Sequence, residues 1–443
     1  MARRRSRSAD QHSLRKAHID SLSHEGKGVA RVDGKAVFIE GALPGENVEY
    51  LTLRRRKSYD EGRVVSIENS SPQRVAHPKC EVYGVCGGCS LQHLDPKAQI
   101  EAKQQVLLDN LERIAKLTPE TVLEPITGPV WGYRRKARLG VRYVPKKGGT
   151  LVGFRERAKG YLTVMSACEV LDPVIGSRIE MLRALIDGLT SREQIAQIEV
   201  AVDDQAAALV FRNLVPLDDR DKHRLIEFGR DNGIQMYQQS GGPETISALW
   251  PDTATLEYSL PEYHLRFEFR PTDFVQVNAA INSKMVSLAL ALLALEKEDR
   301  VLDLFCGLGN FSLALASQHV GVVALEADGA LIQRAKANAI KNGFTEVDFR
   351  VADLYQSDSL AKVLEPDMSK LLLDPPRTGA LDVVQQIGSN QFRRIVYVSC
   401  NPATLARDAQ VLVHQQGYKL ASVGVMDMFP HTRHVESIAL FTN

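Results

Sequence analysis

Val301-Leu-Asp-Leu-Phe-Cys-Gly-Leu-Gly-Asn-Phe-Ser312 begins as a short apolar run, passes through two glycines and continues into a segment that can form a helix. Such a run closed by glycine reads as a buried strand followed by a tight turn. Gly307 and Gly309 remove the side chains that would keep a ligand away from the backbone. Downstream, apolar runs alternate with helical spacing. The strand candidates are Val301–Phe305, Val322–Glu326, Val347–Val351, Leu371–Asp374, Ile395–Ser399, Ala421–Met426 and Val435–Phe441. Seven strands interleaved with helices from about residue 299 onward predict a Rossmann-like, doubly wound α/β domain.

One Gly-x-Gly carries little weight alone. Glu326, seventeen residues past Gly309 and at the end of the next strand, adds to it, because a carboxylate there can accept both hydroxyls of a ribose. A dinucleotide site would show a third glycine where Ser312 stands. S-adenosylmethionine has no pyrophosphate to cradle, so its absence fits a methyltransferase better than an oxidoreductase. Asp353, after the third strand, is placed to meet adenine, although a carboxylate in that position also serves to cap its own loop. Asp374-Pro-Pro-Arg377 fixes the backbone at the edge where ligands of such sheets bind. Amino-group methyltransferases place an aromatic residue after a similar Pro-Pro to stack on the base. Arg377 stands there instead and argues against amine methylation.

Val396-Tyr-Val-Ser-Cys400-Asn-Pro402 ends a strand on a cysteine at the same sheet edge. A cysteine at a strand end is usually core packing, but the Asn401-Pro402 turn behind it points to exposure in the cleft. A thiolate there suits one chemistry well. Uracil C5 is a poor nucleophile until a thiolate adds at C6 and makes it enolate-like, after which a base must remove the C5 proton. Met428-Phe-Pro-His-Thr-Arg-His-Val-Glu436 supplies a carboxylate, so Glu436 is the expected base, with His431 and His434 as alternatives. Cys306, inside the glycine turn, reads as a backbone support.

The 443 residues are 44% hydrophobic and 25% charged, enough for two or three domains with cores of their own. The Arg-rich start has no apolar stretch behind it, and no run approaches membrane-spanning length, which leads us to expect a cytoplasmic protein with no membrane partner. No obligate protein partner is signalled. Residues 12–72 alternate apolar and polar positions between glycines and prolines and predict a small β-barrel. A helix follows, capped by Asp95 with Pro96 at its first position, and the spacing of Ile100, Leu107, Leu111 and Ile114 predicts one buried face. The stretch from about 130 to 270 reads as β-rich, with helices near 178–190 and 217–232.

Six cysteines are too few for a disulfide scaffold. Cys80, Cys86 and Cys89, spaced x5 and x2, predict a metal centre. Cys168 is the other cysteine outside the α/β domain, and four thiolates could hold zinc or a [4Fe–4S] cluster. The x5 spacing and a fourth cysteine argue against a radical S-adenosylmethionine enzyme. Formal net charge is only +1, but ten basic residues lie between Trp131 and Gly160 against Glu156 alone, interleaved with Trp131, Tyr133, Tyr143 and Phe154. Arg54-Arg-Arg-Lys57 is a second basic run. Clustered cations and aromatic faces suit single-stranded RNA, although each run by itself is commonly a solvated surface.

Asp273-Phe-Val-Gln-Val-Asn278, the glycine turn, Asp374-Pro-Pro-Arg-Thr-Gly379, Ser399-Cys-Asn-Pro402 and the tail ending at Glu436 together resemble the RNA uracil-C5 methyltransferases, over nearly the whole chain. The resemblance implies cofactor contacts at Gln276, Phe305, Asn310, Glu326, Asp353 and Asp374, with nucleophile Cys400 and base Glu436. It also implies a [4Fe–4S] cluster on Cys80, Cys86, Cys89 and Cys168, and a first barrel that is a TRAM RNA-binding domain of OB type. The tRNA-modifying branch lacks both the cluster cysteines and that barrel, and a second 23S rRNA branch lacks the barrel. Having both, this chain is most similar to a 23S rRNA branch that also has both. The expected layout is a basic tail over 1–12, the TRAM barrel over 12–72, a central iron–sulfur and RNA-binding domain from 73–94 and 128–270, and the methyltransferase domain from 95–127 and 271–443. A non-catalytic RNA-binding module needs neither Cys400 nor Glu436, and an iron–sulfur redox protein would need an electron-partner site that the sequence does not show.

Overall fold

The computed structural model describes residues 14–253, 255–356, 360–389 and 391–443. The expected basic tail, 1–12, lies outside the described residues. The first sheet has six strands in the order Leu14–His18, Asn47–Arg55, Tyr59–Asn69, Lys35–Glu40, Gly28–Val32 and Ser21–Leu22. It curls until its first strand approaches Gly28–Val32, around a core of Ile19, Val37, Ile39, Val48 and Tyr50. The alternating residues of Asn47–Arg55 explain this: Val48, Tyr50 and Thr52 point inward and their neighbours outward.

A second six-stranded sheet runs Ile246–Trp250, Ile234–Gln239, Ala207–Asn213, Ile195–Val202, Lys136–Val144 and Gly149–Gly153. Helices Ile179–Asp187 and Asp219–Asn232 contribute Leu182, Ile186 and Leu225 to the core beneath it. The hairpin Leu256–Leu260 and Leu265–Phe269 turns toward the next unit. Its Arg266 and Glu268 amides donate to Asn342 and Asn338, at the end of helix Gly329–Lys341.

The third sheet orders its strands Asp348–Val351, Gly321–Glu326, Arg300–Leu304, Lys370–Leu373, Arg394–Ser399, Glu436–Thr442, Lys419–Met426 and Thr121–Val122. The first five are parallel, and Glu436–Thr442 is antiparallel to both of its neighbours. Helices Ala279–Leu293, Ser312–Ala316 and Gly329–Lys341 cover one face, while Pro96–Asn110, Leu381–Gln386 and Pro402–His414 cover the other. All seven strand candidates form. An eighth, Thr121–Val122, is only two residues long and carries no periodic signal of its own.

Asp95 caps helix Pro96–Asn110 through Lys97 and Ala98, as expected. The expected burial of Ile114 does not occur. The chain passes into one π-turn, Leu111–Ala115, whose wider winding rotates Ile114 outward to 39% exposure and puts Ala115 in the core beside Leu111. Lys103 from this helix forms a buried ion pair with Asp427, 2.6 Å away, and donates to the Phe429 carbonyl at 3.0 Å. Among the described residues no helix is long and apolar enough to cross a membrane.

Candidate active site at the sheet edge

Arg300–Leu304 and Lys370–Leu373 are neighbours in the sheet, and the strand order reverses between them. Loops leaving their carboxyl ends diverge and open a crevice. The loop after Leu304 passes through the left-handed region at Phe305, Gly307 and Gly309, with φ of 66°, 54° and 86°. At Phe305 this costs on the order of 1–3 kcal/mol, a strain typical of segments shaped for a ligand. Around an added Cβ at Gly307 there is open space, so that glycine serves backbone conformation and access. Gly307, Ala327 and Asp328 donate backbone N–H groups to Glu326, at 3.2, 2.8 and 3.1 Å, and aim its carboxylate.

Three carboxylates face this crevice. Asp303 is fully buried, with Ser312 donating to Oδ2 at 2.5 Å and no partner for Oδ1 among the described residues. Burial pushes its carboxyl up to about 7, and the charges of Asp374 and Glu326 add to the effect. Asp374 keeps a narrow window on the crevice but is otherwise enclosed, and desolvation pushes it up to about 7 as well. A cation in the crevice would favour the charged form of these carboxyls and an anion would oppose it, so the site suits a cationic ligand over an anionic one. The sequence reading passed over Asp303, although a carboxylate inside an apolar strand is an available signal.

The other expected cofactor residues differ in how they are held. Asn310 accepts from Tyr258 and exchanges hydrogen bonds with Asn282. Asp353 takes the Tyr355 amide on one oxygen and the Gln356 side chain on the other, so it does cap its own loop. The Tyr355 ring lies 5.9 Å from that of Phe305, which brings Asp353's loop to the glycine turn. Gln276 is half-buried, and its amide has no hydrogen-bond partner among the described residues. Burial, with Asp303 and Glu326 adding to it, holds the Cys306 thiol well above the ordinary range, so it stays protonated.

Cys400 and Glu436 are brought together by strand register. Ser399 pairs with Ser437 in the last rung of the antiparallel ladder; Cys400 directly follows the one and Glu436 directly precedes the other, and Glu436 is close enough to act on the Cys400 thiol. Ser437 Oγ donates to the Ser399 carbonyl at 3.1 Å and pins this end. Asn401 caps helix Pro402–His414 and donates to the Arg377 carbonyl at 3.1 Å. Cys400 therefore lies just before a helix N-terminus, where the dipole favours a thiolate. Burial pushes the Cys400 thiol up to about 11, Glu436 and Asp374 push the same way, and the Arg377 guanidinium opposes them through charge and a hydrogen bond. Glu436 is buried, and that burial together with Asp374 raises its carboxyl well above the usual carboxylate range, against the pull of Arg377.

Arg377 Nη2 lies 3.1 Å from His434 Nδ1. Burial and the surrounding cations, Arg377 first among them, push His434 down to about 4, so its ring is neutral and accepts from Arg377. Burial, reinforced by Lys103, likewise lowers His431 to about 4, and its ring stacks on Trp131 with centroids 3.8 Å apart.

Cys80, Cys86, Cys89 and Cys168 are all free thiols gathered in one region. Burial pushes Cys89 up to about 12, with Cys168, Cys86 and Cys80 adding to it, so the four sense one another. Among the described residues no three His, Cys, Asp or Glu side chains converge on a site for a single metal ion.

Part of the basic run from Trp131 to Gly160 is engaged within the protein. Arg135 pairs with Asp204, Arg138 with Glu199 and Arg157 with Glu40, while Lys136 donates to the Pro271 carbonyl. Trp131 packs on His431 and Tyr133 donates to the Pro430 carbonyl at 2.9 Å. Arg142, Lys146 and Arg155 stay exposed, as do Arg54, Arg56 and Lys57 at a hairpin of the first sheet.

The family model described as tRNA (Uracil-5-)-methyltransferase matches residues 252–443, and that of the TRAM domain matches 14–50. A 23S rRNA (uracil(1939)-C(5))-methyltransferase RlmD of Xanthomonas campestris pv. campestris is 50% identical over 426 residues, 96% of each chain. The protein of the same description from Alkalilimnicola ehrlichii is 51% identical over 428 residues, 96% of this chain and 95% of its own. The structure of Pyrococcus abyssi tRNA (uracil-54, C5)-methyltransferase in complex with S-adenosyl-L-homocysteine superposes with a TM-score of 0.73. That match spans 97% of this chain and all of the other, and at 23% identity it speaks for the fold alone. Half of the residues shared over nearly the full length, on a methyltransferase fold with a TRAM domain, establish that this chain belongs to the RlmD family of 23S rRNA uracil-C5 methyltransferases.

Proposed function

We propose that the protein methylates C5 of a uracil in 23S rRNA through a covalent adduct between Cys400 and C6 of the base. The observation that carries this mechanism is that Cys400 and Glu436 lie just past the Ser399–Ser437 rung, with Glu436 and Asp374 both acting on the thiol. The Cys400 thiolate adds to C6, which turns C5 into an enolate-like carbon. S-adenosylmethionine supplies the electrophilic methyl on its sulfonium. Asp303, Glu326 and Asp374 suit that positive charge, and Glu326 is held ready for ribose hydroxyls. Gln276, Phe305, Asn310 and Asp353 complete the proposed cofactor contacts. Glu436 then takes the C5 proton, and the thiolate leaves by elimination. Burial makes Glu436 a stronger base than a water-exposed carboxylate. His431 and His434 suit the role less well, because their ring nitrogens face Gln99 and Arg377.

Four thiols close enough to act on one another suit either zinc or a [4Fe–4S] cluster, and the family resemblance favours the cluster. The donors around them also fit. Gly88 N–H points at Cys86 Sγ from 3.4 Å, and although burial raises the Cys168 thiol, the Leu171 and Val170 amides oppose it by hydrogen-bonding the sulfur. Ser90 Oγ, Gln92 Nε2 and Thr163 Oγ1 are buried without partners among the described residues. Cys80, Cys86, Cys89 and Cys168 would hold the cluster, which would supply a structural cross-link, because the methyl transfer moves no net electrons. A target uracil turned out of its RNA loop would have access to the crevice, with the TRAM barrel's exposed cations on the phosphates.

Cys400→Ala abolishes turnover while leaving S-adenosylmethionine binding intact, and Glu436→Gln accumulates a protein–RNA adduct on a denaturing gel. Retained methylation in the first variant excludes the covalent route, and absence of adduct in the second places the base elsewhere. The thiol ionisation gives a separate check. With its proton lost near pH 11, Cys400 alkylation by iodoacetamide keeps rising from pH 7 to 10. At fixed pH, Arg377→Gln slows it and Glu436→Gln speeds it, roughly tenfold for each unit of pKa moved. A plateau below pH 8, or the same direction in both variants, contradicts the assigned electrostatics. Protein purified without oxygen contains iron and acid-labile sulfide in equal amounts, about four of each per chain, and Cys168→Ser lowers both. Stoichiometric zinc in their place rules the cluster out.

A further inference from the structure

Between strands Lys419–Met426 and Glu436–Thr442 the chain runs through an irregular segment that ends on Glu436. Its centre is His431, a non-glycine residue in the left-handed region with φ 64°. The His431 carbonyl accepts the N–H groups of Ser90 and Leu91, at 2.9 and 3.0 Å, which directly follow Cys89. Its own N–H donates to Gln99 Oε1 at 2.8 Å, and Gln99 Nε2 lies 3.2 Å from its Nδ1. Gln99 is fully buried and also donates to the Leu91 and Leu94 carbonyls. Trp131 stacks on the ring, and just before it in the chain Tyr133 holds the Pro430 carbonyl and Lys103 the Phe429 carbonyl. Each polar backbone group of one strained residue is thus answered by a different part of the chain.

We propose that His431 is a positioning residue. It ties the cysteine-bearing loop and helix Pro96–Asn110 to the segment that delivers Glu436, and so sets where the base stands against Cys400. The proposal rests on Glu436 being the base that resolves the adduct. Four residues separate His431 from Glu436, and no regular structure between them takes up slack. Glu436 is the first residue of its strand, at the end where the segment from His431 enters, so a shift of His431 acts first on this carboxylate, whereas Cys400 has the Asn401 helix cap beside it as a further anchor. Misplacement of a reacting group by about 1 Å costs on the order of 100-fold. Loss of the anchor falls on proton removal and spares thiolate addition.

The test is single-turnover reaction of the full-length, anaerobically prepared protein with unmodified 23S rRNA, following adduct formation and resolution separately on denaturing gels. His431→Ala is expected to slow resolution by roughly 10- to 100-fold, with adduct formation and S-adenosylmethionine affinity nearly unchanged. His431→Asn, which tolerates the left-handed conformation and keeps a polar side chain, recovers most of the rate. Gln99→Leu, which removes the His431 partner from the helix side, reproduces the defect and serves if His431→Ala does not fold. Equal losses in formation and resolution, or no change in either, overturn the proposal. Glu436→Gln is run alongside. If it accumulates adduct while His431→Ala and Gln99→Leu resolve normally, only the positioning role fails. If it accumulates none, the assignment of the base fails first.

Discussion

The register between Arg394–Ser399 and Glu436–Thr442 is the constraint on which the site depends. Ser399 opposite Ser437 closes the ladder with Cys400 and Glu436 immediately beyond it, so a thiol and a carboxyl distant in sequence come together without a dedicated loop. A slip of one residue would turn one of them to the opposite face of the sheet. Both strands are buried on both faces, by Ile395, Tyr397, Ala439 and Phe441 on one side and Val396, Val398, Ile438 and Leu440 on the other. Such a slip would therefore exchange residues between two packed cores. The helix cap at Asn401 and the buried Lys103–Asp427 pair hold the ends that the sheet alone leaves free. Breaking one partner of such a pair costs about 3–5 kcal/mol, because the other charge stays buried.

Electrostatics then shape what the crevice accepts. Asp303, Glu326, Asp374 and Glu436 are concentrated there, and Arg377 is the cation that faces both Cys400 and Glu436. Each carboxylate raises the proton affinity of its neighbours. A positively charged ligand relieves that repulsion, whereas a phosphate-bearing one would worsen it. The same arrangement keeps Cys400 largely protonated in the free protein and makes Glu436 basic, so each group is tuned by the others. His434, neutral and accepting from Arg377, steadies the guanidinium without competing for the proton.

Much of this is legible in the sequence, for reasons that differ residue by residue. Short apolar strands broken by glycine gave all seven main strands, because sheets buried on both faces need continuous apolar runs. Glu326 follows from strand length and Cys400 from its place at a strand end. Gln276 and Phe305 came from family resemblance, since nothing in their spacing marks them. Ile114 was expected inside, but helical periodicity presumes 3.6 residues per turn and the π-turn breaks it. Within the basic run, Arg135 and Arg157 serve ion pairs across the fold while Arg142, Lys146 and Arg155 stay exposed, a division that composition cannot distinguish. Arg377's position over Cys400 and the grip on His431 arise from contacts hundreds of residues apart or between loops, and no local pattern encodes them.

The most direct test is incubation of the purified, anaerobically prepared protein with methyl-labelled S-adenosylmethionine and separate samples of unmodified 23S rRNA, 16S rRNA and tRNA, followed by nucleoside analysis. Label in 5-methyluridine from 23S rRNA alone is the predicted result. Label in tRNA, in any nucleoside other than 5-methyluridine, or in no RNA at all would contradict it.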